Sequence, residues 1–134
     1  MSHSASQAAA FYRDVAVGRR VWTIRDDGGY PAPQTSSGQR AMPFWSSHSR
    51  AERIIATVSA YSGFVTEEID WASFTSKWAP DLERDGCLIG INWSGANATG
   101  YDLPASHVIG NVEALTVREP ARKAESWLAR LLGR

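Results

Sequence analysis

The chain of 134 residues has a single cysteine and no excess of charge of either sign. Because Cys87 has no partner, no internal disulfide can form, and a secreted disulfide-rich scaffold is excluded. Fourteen basic residues balance fourteen acidic ones, so the broad positive field of nonspecific nucleic-acid binding is missing, and we expect no nucleic-acid partner. No apolar run approaches the roughly 18 residues of a membrane span, and no signal peptide is visible. We therefore expect a soluble, cytoplasmic protein with no membrane partner.

Sequence motifs for several common chemistries are also missing. There is no phosphate-binding G-x-x-x-x-G-K-[ST] loop, no H-E-x-x-H zinc motif and no G-x-S-x-G nucleophile elbow. His3, His48 and His107 lie far apart in the sequence, so we expect no metal site and no cofactor. The sequence therefore nominates no catalytic residue, and it favours a binding protein over an enzyme.

What the chain does contain is the composition of one globular domain. Hydrophobic residues make up 43% of it, enough for a single core. Their periodicity alternates between helical segments and short strands, which predicts an α+β fold: a mostly antiparallel sheet of about four strands with helices packed against it. The apolar run from Cys87 to Trp93 is expected to be the central strand. A helix that opens at Pro120 is expected to form a C-terminal extension, residues 116–134, beyond a core of residues 8–115. It packs either on the domain or on a partner.

Turn and capping residues predict where several elements begin and end. Ser49 and Glu52 have the S-x-x-E spacing of a capping box, which predicts a helix that starts at Ser49 and ends near Gly63. Asp70 is expected to cap a short helix that Pro80 bends or ends.

Two segments combine aromatic and polar residues just after predicted strands, where loops often form a binding crevice. One spans residues 44–48; the other spans residues 92–95 and continues to residue 102, which is also expected to cap the next helix. The candidate binding residues are Trp45, Ser47, His48, Asn92, Trp93, Ser94, Tyr101 and Asp102. The alternative interpretation is structural, because six tryptophans can simply fill the core and Ser47 or Ser49 can simply cap a helix.

Among the candidates, His48 has the side chain best suited to acid–base chemistry. It lies one residue before the expected helix cap, where the positive end of the helix dipole favours a neutral imidazole. A neutral histidine can act as a general base. The alternative is an ordinary solvent-exposed loop residue.

Several longer strings resemble a known family. They are Val21-Trp22-Thr23-Ile24, Met42-Pro43-Phe44-Trp45-Ser46-Ser47, Gly90-Ile91-Asn92-Trp93-Ser94-Gly95 and Ala98-Thr99-Gly100-Tyr101-Asp102-Leu103. In this order they are similar to a bacterial family of uncharacterised proteins, domain of unknown function 2750, over about residues 8–112. The resemblance implies bacterial origin and a compact α+β domain, and it supplies no activity and no catalytic residues. The order of elements is also loosely similar to small toxin-immunity domains.

Three functional hypotheses remain open. The first is an interaction protein, for example of the immunity type, that binds a protein partner through loops around Trp45 and Trp93 or through the last helix. The second is a small-molecule sensor or enzyme with a pocket between residues 45–48 and 92–102. The third is a stable accessory module whose tryptophans serve only packing. The relative position of His48 and Asp102 tests the enzyme hypothesis, since a catalytic pair must lie on one face.

Overall fold

The structure, a computed structural model, describes residues 2–116. The helices are α1 (His3–Gly18), α2 (His48–Thr57), α3 (Trp71–Ser73), α4 (Ala79–Arg84) and α5 (residues 105–116). A 3-10 turn (Ser59–Tyr61) follows α2, and a π-helical turn (Phe74–Trp78) joins α3 to α4. The strands are β1 (Arg20–Arg25), β2 (Ala41–Phe44), β3 (Val65–Asp70), β4 (Leu88–Ser94) and β5 (Thr99–Leu103). Within the described residues no helix has the length and apolarity to cross a membrane. The helix predicted at Pro120 lies outside the described residues.

The strands form two sheets that are joined at one point. β1 pairs antiparallel with β3, while β4 lies in the middle of the second sheet, parallel to β2 and antiparallel to β5. Trp22 of β1 and Trp45, directly after β2, exchange two backbone hydrogen bonds of 2.8 and 2.7 Å that connect the sheets. The connection is short because Pro43 has no N–H to donate; its carbonyl accepts instead from the Thr23 hydroxyl at 2.9 Å.

The alternation of side chains along the strands divides the core into two clusters, one on each face of the two joined sheets. The larger cluster joins α1, α3, α4 and α5 to the strands and contains Phe44 and Ile91, both fully buried. The smaller cluster joins α2 to the opposite face and contains Trp22, Trp45 and Trp93. Half of the tryptophans in the chain therefore pack together on the α2 face.

A β-bulge interrupts the pairing of β4 with β5. Asn92 and Trp93 of β4 together oppose the single residue Gly100 of β5. Asn92 has a φ of +46°, a left-handed conformation that asparagine tolerates better than most residues. Because the extra residue reverses the side-chain alternation, Trp93 lies on the same face as Gly90. The indole comes so close that a Cβ on Gly90 would stand 2.3 Å from the ring. The bulge thus turns Trp93 towards α2.

The predicted α+β class and several predicted elements are confirmed. β4 is the middle strand of its sheet, and its five central residues are buried. Asp70 caps α3 by accepting a hydrogen bond from the Ser73 N–H at 2.6 Å. The described residues form five strands rather than about four, and β2 and β4 are parallel. A parallel pair is possible because the connection between them is long and runs through α2, β3, α3 and α4.

The predicted capping box at Ser49 and Glu52 is wrong. Ser47 is the N-cap of α2, because its backbone is extended and its Oγ accepts from the Arg50 N–H at 3.3 Å. The helix therefore begins at His48, and Glu52 pairs with His48 instead of with a capping serine.

Three other predicted boundaries also differ from the structure. α2 ends before Gly63, because the backbone becomes extended at Val58. Pro80 does not end its helix, which continues to Arg84, because the proline lies in the first turn of α4, where a missing N–H is tolerated. Asp102 caps no helix: it lies in β5, and α5 begins only at residue 105, after an intervening proline.

The close approach of Trp93 to Gly90 predicts a steric cost for any side chain at that position. We expect Gly90→Ala to lower the free energy of unfolding by about 1–3 kcal/mol, because the added methyl group overlaps the indole. In a Trp93→Ala background the same substitution should cost much less, because the two positions are coupled. Urea denaturation of the four proteins measures both values.

Gly110 is the matched control for this experiment. It lies in α5, and a Cβ there meets no atom within 4 Å. Gly110→Ala should therefore raise the free energy of unfolding by about 0.5–1 kcal/mol, as alanine does in an open helical position. Equal effects of alanine at Gly90 and Gly110 would contradict the proposed contact.

Candidate functional site

Trp45 and Trp93 meet where β2 and β4 end. The Trp45 indole N–H donates to the Trp93 carbonyl oxygen at 2.8 Å, and the two residues are 0% and 5% exposed. Since β2 and β4 are parallel, their carboxyl ends lie at the same edge of the sheet. The two aromatic segments are therefore neighbours, but their rings belong to the core and do not form an exposed aromatic surface.

Asn92 connects three parts of the chain at this edge. Its Oδ1 accepts from the Ser46 N–H at 2.9 Å. Its Nδ2 donates to the Gln7 carbonyl oxygen in α1 and to Ser46 Oγ, both at 3.1 Å. The Ser46 hydroxyl in turn donates to Asp14 Oδ2 at 2.8 Å. With Asn92 only 1% exposed, this network holds one face of α1 against the junction between β2 and α2.

Asp102 lies beside Trp93 on the neighbouring strand. Its Oδ1 accepts from the Trp93 indole N–H at 2.8 Å. Burial raises the pKa of Asp102 because it disfavours the charged carboxylate, and the indole hydrogen bond opposes part of this rise. Both residues line a cleft of about 430 Å³ that also includes Tyr61 and Thr35.

A second cleft of about 430 Å³ opens between α1, α2 and the end of β4, and we call it the basic cleft. Trp45, Trp93 and Ile54 contribute its apolar lining. Arg50 and Arg53, three residues apart on α2, bring two positive charges, and no aspartate or glutamate lines it within the described residues. Neither arginine forms an ion pair with another described residue. The basic cleft therefore combines apolar walls with unbalanced positive charge.

A chain of hydrogen bonds runs along the basic cleft. Arg50 Nη1 donates to Gln7 Oε1, and Gln7 Nε2 lies 3.4 Å from His3 Nε2. Ser94 Oγ, at the end of β4, lies 2.8 Å from the same histidine nitrogen. His3 and Gln7 face the cleft together because residues four apart share one side of a helix. These contacts link α1, α2 and β4 through polar groups.

The predicted site residues divide between the basic cleft and other places. The basic cleft includes four of them: Trp45, Asn92, Trp93 and Ser94. Ser47 caps α2, and Tyr101 is 42% exposed outside both clefts. The side chain of His48 is 60% exposed and lies 3.3 Å from Glu52. His48 and Asp102 share neither a cleft nor a hydrogen bond, so they do not form a catalytic pair.

Four residues of the basic cleft carry no sequence motif: His3, Gln7, Arg50 and Arg53. One signal was available, because polar residues at 3, 7 and 14 recur at helical spacing and define a polar face of α1. The two arginines are likewise three residues apart on α2. No local pattern shows that these two helix faces meet, since their meeting depends on how both helices pack at the edge of the sheet.

The Asn92 network predicts that alanine at this position is costly for two separable reasons. Asn92→Ala leaves the buried Ser46 N–H without its partner and forces alanine into the left-handed conformation, so we expect a loss of about 2–4 kcal/mol in the free energy of unfolding. Asn92→Gly removes the same hydrogen bonds but fits the backbone, and it should recover about 1 kcal/mol of that loss. Urea denaturation compares the two variants. Equal stability of both would show that backbone strain contributes nothing.

The raised pKa of Asp102 predicts how stability depends on pH. The folded state binds this proton more tightly than the unfolded state, so the contribution of Asp102 favours folding in acid and is lost as pH rises through the raised pKa. Asp102→Asn keeps an acceptor for the Trp93 indole and removes the desolvated charge. We expect this variant to be at least as stable as the original chain at pH 7, with an advantage that shrinks towards pH 3. Thermal unfolding across this range measures it, with exposed Asp27→Asn as the control. A variant less stable by the same amount at every pH would contradict this account.

Comparison with known proteins gives the family of the chain. The model of a family described as "Protein of unknown function (DUF2750)" matches residues 8–111, more than three-quarters of the sequence. The matched segment includes Arg50, Arg53 and Ser94, whereas His3 and Gln7 precede it. A search of curated proteins found no match. The resemblance carried by the tryptophan-bearing strings is thus confirmed, and the chain belongs to the family of domain of unknown function 2750.

Proposed function

We propose that this chain is a binding protein for a small organic anion, which it holds in the basic cleft. The observation that carries the proposal is the pair Arg50 and Arg53, which line a partly apolar cleft in which no described carboxylate neutralises them. Guanidinium groups form strong, charge-assisted hydrogen bonds with carboxylates and phosphates. The preferred ligand is therefore negatively charged.

The size and lining of the basic cleft favour a small molecule. Its volume of about 430 Å³ lies within the usual range of small-molecule sites, roughly 300–1,000 Å³. Trp45, Trp93 and Ile54 offer apolar surface next to the charged groups. A ligand with a planar or apolar body and one anionic group complements both parts of this lining. The ligand class is therefore an aromatic or aliphatic carboxylate or phosphate.

An interaction protein that uses exposed tryptophan loops has less support. Trp45 and Trp93 are almost completely buried, so neither ring is available to a protein partner as an exposed anchor. Both residues line the basic cleft, and Trp93 is the one that keeps some exposed surface there. The same aromatic residues thus support the small-molecule hypothesis better.

Titration with matched probes tests the proposed function. Benzoate and phenyl phosphate at millimolar concentration should raise the melting temperature, because a ligand that binds only the folded state stabilises it. Benzyl alcohol, a neutral analogue of similar size, should have little effect. Arg53→Gln should weaken benzoate binding about tenfold, roughly 1.4 kcal/mol, through the loss of one charge-assisted contact. Tryptophan fluorescence provides a second readout, since both cleft indoles lie beside the ligand.

Arg84→Gln is the matched control, because Arg84 is exposed and pairs with Asp81 outside the basic cleft. This variant should bind benzoate like the original chain. The proposal fails if benzyl alcohol binds as well as benzoate, or if Arg53→Gln leaves benzoate affinity unchanged.

A further inference from the structure

The hydrogen bonds along the basic cleft determine where the proton of His3 lies. A guanidinium group can only donate hydrogen bonds, so the Gln7 atom facing Arg50 must be the amide oxygen. The Gln7 amide nitrogen, which has no accepting lone pair, then faces His3 Nε2 at 3.4 Å and donates to it. His3 Nε2 is therefore an acceptor, and the imidazole carries its proton on Nδ1.

This tautomer sets the direction of the hydrogen bond to Ser94. Since His3 Nε2 accepts and has a single lone pair, that lone pair is shared between the Ser94 hydroxyl, which donates across the shorter 2.8 Å contact, and the weaker 3.4 Å contact from Gln7. A serine whose hydroxyl points at an unprotonated imidazole nitrogen has the arrangement of a nucleophile activated by a general base. The contact is exposed and both residues line the cleft, so both groups are accessible to a ligand.

The surroundings of Ser94 supply further groups that such a reaction needs. Gly95, with a φ of +82°, and Ala96 follow Ser94 in a turn, and both line the basic cleft. Their backbone N–H groups are the donors next to the serine in sequence, which is where an oxyanion is commonly stabilised. Arg53 provides a positive charge for an anionic group elsewhere on the substrate.

From this geometry we infer that the basic cleft hydrolyses carboxylic esters that carry a negative charge, with Ser94 as nucleophile and His3 as general base. The inference rests on the proposed function, because it assigns a reaction to the same cleft. Ser94 and His3 are the catalytic residues. Gln7 is a positioning residue that fixes the tautomer of His3, and Arg50 fixes Gln7.

The reaction proceeds in two balanced steps. Ser94 Oγ bonds to the ester carbonyl carbon while its proton moves to His3 Nε2; the carbon–oxygen bond to the alcohol then breaks, and the leaving oxygen takes that proton. Water next attacks the acyl-serine, giving one proton to His3, and Ser94 Oγ leaves and recovers it. One ester and one water become one acid and one alcohol, and the protein is unchanged.

Two measurements on the full chain, with no added N-terminal residues beside His3, test the inference. A fluorophosphonate probe should label the chain once, and intact mass with peptide mapping should place the label on Ser94. The protein-dependent rate, measured above the rate without protein, should be higher for mono-4-nitrophenyl succinate than for 4-nitrophenyl acetate, its neutral counterpart, because of the two arginines. Ser94→Ala should abolish labelling and turnover, and His3→Gln should reduce turnover about a hundredfold, the usual range for loss of a general base. Ser62→Ala and His107→Gln, at exposed positions outside the cleft, should match the original chain.

Gln7→Glu tests the positioning role. This nearly isosteric change places an acceptor opposite His3 Nε2, which favours a proton on Nε2 and removes the acceptor for Ser94. With the neutral 4-nitrophenyl acetate we expect kcat to fall at neutral pH with little change in KM, whereas KM for the anionic ester should rise because the new carboxylate in the cleft opposes its charge. An unchanged kcat would show that Gln7 does not set the tautomer and would contradict the role assigned to it.

The possible outcomes separate this inference from the proposed function. If benzoate raises the melting temperature but Ser94 is not labelled and turnover equals that of Ser94→Ala, the cleft binds anions and the catalytic inference is wrong. If benzoate does not bind and Ser94 is not labelled, both are wrong. Labelling at Ser94 that His3→Gln leaves equally fast would also overturn the inference, since the base would then have no part in the reaction.

Discussion

The contact on which the edge of the sheet depends is the side chain of Asn92. Buried and in the left-handed conformation, Asn92 binds the backbone of α1 through Gln7 and the end of β2 through Ser46. Without Asn92 the buried Ser46 N–H would have no partner, which costs about 1–3 kcal/mol. The same residue begins the β-bulge, so one side chain both creates the irregular strand and satisfies the polar groups that the irregularity brings together.

The bulge determines on which face of the sheet the Trp93 side chain lies. Without the extra residue, Trp93 would lie on the face of Ile91, in the larger cluster; with it, the indole lies over Gly90 and beside α2. The indole then separates two environments. One is the cleft of Asp102, whose carboxylate accepts the indole N–H, and the other is the basic cleft. The β-bulge thus places the Trp93 indole where it forms a wall of both clefts.

Much of the fold could be predicted from the sequence, while the site could be predicted only in part. β-branched and apolar runs predict β1 and β4 because the side-chain types of a short segment are enough to indicate a buried strand. The sequence cannot tell which serine caps α2, since Ser47 and Ser49 are chemically equivalent and only backbone geometry distinguishes them. Nor does composition distinguish the bulged hairpin that contains Asp102 from a loop before a helix. The sequence does not pair His3 with Arg53, since α1 and α2 come together only when both pack at the edge of the folded sheet.

Arg50 takes part in both the proposed anion binding and the proposed catalysis, and it can contact an anionic ligand and Gln7 at the same time. A guanidinium group has five N–H donors in a planar fork, and the contact with Gln7 uses one of them. The remaining donors stay available to an anionic ligand while Gln7, and through it His3, keeps its orientation. A lysine at this position would offer a single ammonium on a flexible stem and could not hold both partners in a fixed geometry. The planar fork therefore lets Arg50 recognise a negative charge. At the same time Arg50 acts through Gln7 to hold the acceptor nitrogen of His3 towards Ser94.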